Sequence, residues 1–77
     1  MTMTFRCAVL QMAQNDVSDA AIQAIYDAVE PLCKTETDGH GGETTTLWEW
    51  LSQTGGYHGD ETPASIAAEW DNLAHYS

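Results

Sequence analysis

The stretch VSDAAIQAIYDAVEP, Val17 to Pro31, leaves its backbone little choice. Ser18 can accept an amide hydrogen bond as an N-cap, and Val17 stands where it can staple onto Ile22. Asp19 follows in the first turn, where the helix dipole favours an anion. Pro31 lacks an amide N–H and ends or kinks the helix there. At 100° per residue, Ile22, Ile25, Tyr26 and Val29 fall within about 100°, the width of a core-facing stripe. The other side carries Asp16, Asp19, Gln23, Asp27 and Glu30 within about 80°. Four carboxylates thus share one side of a helix predicted to rise about 21 Å from Asp16 to Glu30. No Lys or Arg stands among them.

Three further segments carry a pattern. In Thr4 to Gln14, Phe5, Ala8, Val9 and Met12 follow helical spacing, while Phe5, Cys7 and Val9 also alternate as in a strand. The length and the Ala and Met content favour a helix, ended by Asn15. LWEWL gives a short helix capped by Thr45 or Thr46, with Leu47, Trp48, Trp50 and Leu51 turned inward and Gly55 and Gly56 stopping it. In the last helix Thr62 is the cap and Pro63 the first helical residue. Ile66, Ala67, Trp70, Leu73 and Ala74 form its apolar stripe, with Asp60, Glu61, Glu69 and Asp71 at the polar margin. Between the second and third segments, TETDGHGGETTT reads as a loop, because glycines and short polar residues favour turns.

These elements predict an all-α fold, a single domain over residues 1–77 built as a bundle of three to four short helices. A chain of this size buries only about 60% of its unfolded surface, so its core must be made of large side chains. Trp48, Trp50, Trp70, Phe5, Tyr26, Tyr57 and Tyr76 supply them, each able to bury about 150–250 Å². Ile22, Ile25, Val29, Leu32, Leu47, Leu51, Ile66 and Leu73 complete the expected core. Cys7 and Cys33 match no metal or redox spacing and are read as reduced, buried thiols. MTMTFRCAVLQM has no long apolar run of a signal peptide, and no segment approaches the roughly 20 apolar residues of a membrane span. A cytoplasmic protein with no membrane contact is expected.

Charge narrows the function classes. Twelve acids stand against Arg6 and Lys34, a formal net charge of -10. Nucleic-acid binding draws most of its non-specific affinity from Lys and Arg, so direct contact with DNA is excluded. His40, His58 and His75 lie in loops or near the chain end, and Asp38, His40 and Glu43 lack the ligand spacing of a calcium loop. No metal or cofactor is expected. No nucleophile elbow is present, and paired carboxylates need a partly desolvated pocket for which the chain has little room. The protein is not expected to be an enzyme.

A cationic partner remains. Exposed helices usually intersperse Lys or Arg with their acids at i,i+4; this one does not. Asp16, Asp19, Asp27 and Glu30, with Glu36, Asp38 and Glu43 from the adjoining loop, are the candidate partner-binding residues, placed to substitute for phosphates in the basic DNA-binding groove of a protein complex. The competing explanation is that the acids serve solubility alone.

The segment LWEWLSQTGGYHGDETPASIAAEWDNL, Leu47 to Leu73, resembles sequences of very small proteins of phages and mobile elements. With its size and acidity, the whole chain is similar to anti-CRISPR proteins that inhibit type I Cascade complexes, type I-C among them. That resemblance implies a non-enzymatic inhibitor in the host-cell cytoplasm, binding a surveillance complex and keeping it from target DNA by mimicry or occlusion. It assigns no individual residue. The expectation is therefore a monomeric acidic inhibitor of a CRISPR effector. The alternative is a small interaction module that binds through an apolar, Trp-containing surface.

Overall fold

The computed structural model describes residues 3–37 and 45–76, with backbone alone at 74–76. The described residues form α1 (Phe5–Ala13), α2 (Asp19–Val29), a 3-10 turn (Glu30–Leu32), α3 (Leu47–Leu51) and α4 (Pro63–Tyr76), and no strand. The all-α class is the one expected. The ambiguous N-terminal segment is helical.

Each helix begins on a side-chain cap. Thr4 Oγ1 accepts from the Cys7 amide, Ser18 Oγ from Ala21 and Thr46 Oγ1 from Glu49, at 3.1–3.2 Å. At α4 the cap is reciprocal: Ser65 N–H donates to Thr62 Oγ1 at 3.1 Å, and Thr62 N–H donates to Ser65 Oγ at 3.0 Å. These bonds satisfy amides that a helix leaves without an internal partner.

The close of α1 explains where α2 can start. Asn15 takes a left-handed φ of 63°. Its N–H donates to Met12 O, and the Asp16 N–H reaches back to Gln11 O at 2.9 Å. This paired closure is a Schellman motif, and asparagine is among the residues that tolerate its left-handed position. Pro31 has the expected effect on α2, whose α-helical bonding gives way at Glu30 to the 3-10 turn.

α2 is the hub, packing against α1, α3, α4 and the 3-10 turn. Ala8, Val9 and Met12 from α1, Ala21, Ile22, Ile25 and Val29 from α2, Leu47 and Leu51 from α3, and Ile66, Ala67 and Trp70 from α4 are buried. No polar or charged side chain is buried among the described residues. The five-residue α3 keeps Leu47 and Leu51 inward at i,i+4 and sets its tryptophans on either flank, both half-buried. Trp48 tilts against Tyr26 at 5.7 Å between ring centroids, and Trp50 against Trp70 at 5.4 Å.

Four burial assignments from the sequence are corrected. Leu32 and Leu73 are 48% and 42% exposed. Each lies beyond the last fully buried residue described in its element, Val29 or Trp70. Cys7 is exposed and Cys33 half-buried, and both are free thiols. A strand would have put Cys7 on one face with Phe5 and Val9; the helix turns it about 100° from Ala8 and out to solvent.

The Cα radius of gyration is 11.7 Å, against about 11.5 Å expected for a folded chain of this length. Ten net negative charges are thus carried without swelling.

Candidate partner-binding site

Because α2 is covered on so many sides, it leaves only a narrow strip to solvent. The exposed side chains on it are Asp19, Ala20, Gln23 and Asp27, and Glu30 continues the strip at the helix end. Asp19, Gln23 and Asp27 follow at i,i+4 and Glu30 at i,i+3, all on one face, with a rise of about 16 Å from first to last. Gln23 Nε2 donates to Asp27 Oδ1 at 2.7 Å, which orients that carboxylate along the strip. Glu30 keeps helical torsions, φ −53° and ψ −44°, and so stays in register.

Asp16 is not part of this strip. It is exposed, but it lies in the link that closes α1, and Ser18 at φ −142° and ψ 152° breaks the helical register before α2 begins. The 21 Å ridge expected from the sequence therefore shortens by the turn Asp16 would have supplied. Glu36 is exposed beyond the 3-10 turn, and its main chain is fixed: its carbonyl accepts from Trp70 Nε1 at 3.1 Å. Asp38 and Glu43 lie outside the described residues.

The helix dipole treats these acids unequally. Asp19 sits at the N-terminus of α2, where an anion is stabilised; Glu30 sits at its C-terminus, where an anion is disfavoured. Neither cation stands on α2: Arg6 belongs to α1 and Lys34 follows the 3-10 turn. Glu30 is thus held against both its own helix and the net charge of the chain.

Two acids that the sequence placed at the polar margin have structural work instead. Asp71 Oδ1 accepts from Lys34 N–H at 3.0 Å, Thr35 N–H at 3.0 Å and Thr35 Oγ1 at 2.9 Å, and Oδ2 accepts from Lys34 N–H at 3.1 Å. Partial desolvation raises its pKa, but the Thr35 hydroxyl, the two amides and the Lys34 charge outweigh it and hold the carboxyl below the usual range. Glu61 accepts from the amides of His58 at 2.7 Å and Gly59 at 2.9 Å, closing the turn before α4. Desolvation again acts upward, and those amide bonds carry the carboxyl below its ordinary value. Gly59 is suited to this turn, with φ 106° and Leu10 Cδ2 3.3 Å from where a Cβ would stand. No sequence signal pointed to Asp71, whose partners are 36 and 37 residues away.

The remaining acids are not confined to α2. Glu49, Asp60 and Glu69 are exposed on α3, on the turn after it and on α4. Two concavities flank the short α3. One, of about 150 Å³, lies between α3, the following turn and α4 and is lined by Trp50, Leu51, Gln53, Gly56, Tyr57, Glu61, Ile66 and Glu69. The other is an open hollow of about 380 Å³ between α2 and α3, lined by Gln23, Tyr26, Thr37, Thr46 and Trp48.

Among the described residues, no group of three or more His, Cys, Asp or Glu is placed to hold a metal ion, and no helix is long and apolar enough to cross a membrane. Compared with family models, curated proteins and solved structures, the chain finds no match.

Proposed function

We propose that this protein is a non-enzymatic inhibitor that presents the carboxylates of α2 to the basic DNA-binding groove of a protein complex, and that the complex is a CRISPR effector of the Cascade type. One observation carries the reading. On the hub helix of the fold, the exposed strip is Asp19, Gln23, Asp27 and Glu30 with Ala20 beside them, and no basic side chain stands on that helix. A helix needing only solubility would gain from interspersed Lys at i,i+4. It would gain again from a cation in place of Glu30 at its C-terminus.

Opposite charge across an interface speeds association and fixes register, and its reach shrinks with salt as the Debye length falls to about 8 Å at physiological ionic strength. The resemblance of Leu47 to Leu73 to small phage proteins supplies the class of partner; the electrostatics alone ask only for a cationic groove.

The test is a mobility-shift assay of target-DNA binding by a purified Cascade complex. Wild-type protein should block binding, more strongly at 50 mM than at 300 mM salt on the order-of-magnitude scale set by screening. The triple variant D19S/D27S/E30S should lose the block while keeping its helical circular dichroism. Undiminished potency in that folded variant rules the α2 strip out.

The hollow bordered by Tyr26 and Trp48 supports a second reading, an interaction module anchored by an aromatic pair. Interface energy concentrates in such residues. There, W48A would abolish binding and the triple variant would not.

A further inference from the structure

The smaller concavity, beside α3, has a composition that selects its occupant. Leu51 and Ile66, 1% and 5% exposed, form an apolar floor, and Trp50 and Tyr57 supply aromatic walls. Tyr57 spends its hydroxyl elsewhere, donating to Leu51 O at 2.7 Å, so its ring is what the cleft is offered. Trp50 also packs against Trp70, with ring centroids 5.4 Å apart. Glu61 and Glu69 complete the lining, and no Lys, Arg or His is among the described lining residues. Glu61 is fixed by the His58 and Gly59 amides, which also keep it ionised at neutral pH.

Two carboxylates without a lining cation repel an anion. A purely apolar group would gain nothing from them. A flat cation satisfies both aromatic wall and carboxylate, since guanidinium groups stack on aromatic faces and pair with carboxylates through a rigid fork of donors. The size agrees. A volume of about 150 Å³ is what a dry cavity needs to hold a benzene-sized group and is well below the roughly 300 Å³ of a drug-sized ligand site.

We infer that the cleft between α3 and α4 is a receptor for a single arginine side chain of a partner protein. No residue of α2 lines it, so the inference does not rest on the α2 strip: the two surfaces succeed or fail separately.

The probe is N-acetyl-arginine amide, titrated into the isotopically labelled protein while the Trp50 indole N–H resonance is followed, assigned by its loss in W50F. Saturable shifts with a millimolar dissociation constant are expected. The citrulline amide, a neutral isostere of the same shape, should bind at least about tenfold more weakly, the measure of a guanidinium-specific contact. E69Q should weaken binding several-fold; Glu69 is exposed and caps nothing, so the fold is spared. E49Q, which removes an acid outside the cleft, should bind as wild type. Equal binding of the citrulline probe, equal binding of the lysine analogue, or an E69Q protein that binds like wild type overturns the assignment. D19S/D27S/E30S should bind the probe normally, which separates this cleft from the α2 strip.

Discussion

The indole N–H of Trp70 donates to the backbone carbonyl of Glu36 at 3.1 Å, tying the core of α4 to the segment that follows the 3-10 turn. The next residue along α4, Asp71, accepts from the amides of Lys34 and Thr35, and Thr37 O accepts from Leu47 N–H at 2.8 Å. Residues 34–37 have no regular structure, yet a backbone polar group of each of the four is anchored to α4 or α3. The link is a strap, and Asp71 is its main fastening.

Asp71→Ala should therefore cost about 1–3 kcal/mol, because it removes the charged acceptor of the part-buried Thr35 amide and hydroxyl. In a domain of this size each kcal/mol lowers Tm by about 4–8 °C. Removing one negative charge by itself acts the other way in so acidic a chain, so Glu69→Gln is the matched control. Thermal melts of the two variants should move in opposite directions or leave E69Q unchanged while D71A falls.

Among the described residues, four groups set pH limits on the fold. Asp71 and Glu61 have lowered pKa values in the folded state, so their contribution is full above the unfolded carboxylate range near 4 and is lost as pH falls through the lower folded values. At the alkaline end, burial first, then the charges of Asp71 and Glu30, push the Cys33 thiol up to about 11. Burial and then Glu61 push Tyr57 up to about 12. A raised folded pKa contributes stability below the unfolded value, near 8.5 for a thiol and 10 for a phenol, and that stability disappears as pH rises toward 11 to 12. Urea midpoints measured from pH 3 to 12 should show a plateau with loss at both ends. C33A should flatten the decline that begins near pH 9, while Y57F should remove the part beginning near pH 10.

The same contrast appears in thiol chemistry. Cys7 is exposed on α1, whereas the Cys33 S–H points to Val29 O at 3.5 Å and resists ionisation. The thiolate is the reactive form. With a disulfide reagent at pH 8 one thiol should react in a fast phase and the second in a markedly slower one. C7S should abolish the fast phase, and a fast phase surviving in C7S contradicts the raised pKa of Cys33.

What could be read in advance follows the range of the interaction. Ser18, Thr62 and Pro63 specify their helix starts through contacts within three residues, and Pro31 specifies an ending through its own missing N–H; all four were legible. Asn15 was legible as a stop, because its tolerance of left-handed torsion is local. Asp16 was misplaced for the complementary reason: a 100° register extends only as far as the torsions stay helical, and Ser18 interrupts them. Asp71 and Glu61 looked like ordinary surface acids, since a carboxylate that binds distant amides has the same sequence as one that binds water. The α3–α4 cleft was invisible too, because Trp50, Tyr57 and Glu69 meet only when two helices and a turn are assembled.

Asp19 and Glu30 supply the sharpest electrostatic test, because they are like charges on one face with opposite relations to one helix. Asp19 lies in the first turn of α2 and Glu30 caps its end. Neutralising Asp19 as D19N removes a favourable dipole contact worth about 0.3–1 kcal/mol at low salt, offset in part by relief of repulsion. Neutralising Glu30 as E30Q removes an unfavourable contact of similar size, and relief of repulsion adds to the gain. The two variants have identical net charge, so overall self-repulsion cannot separate them; only position along α2 can. At 10 mM salt E30Q should melt above wild type and above D19N, and the gap between the two variants should narrow as salt rises to 0.5 M and screening shortens below about 5 Å. A gap absent at low salt would mean that α2 ends elsewhere than at Glu30, and that Glu30 does not continue the exposed strip.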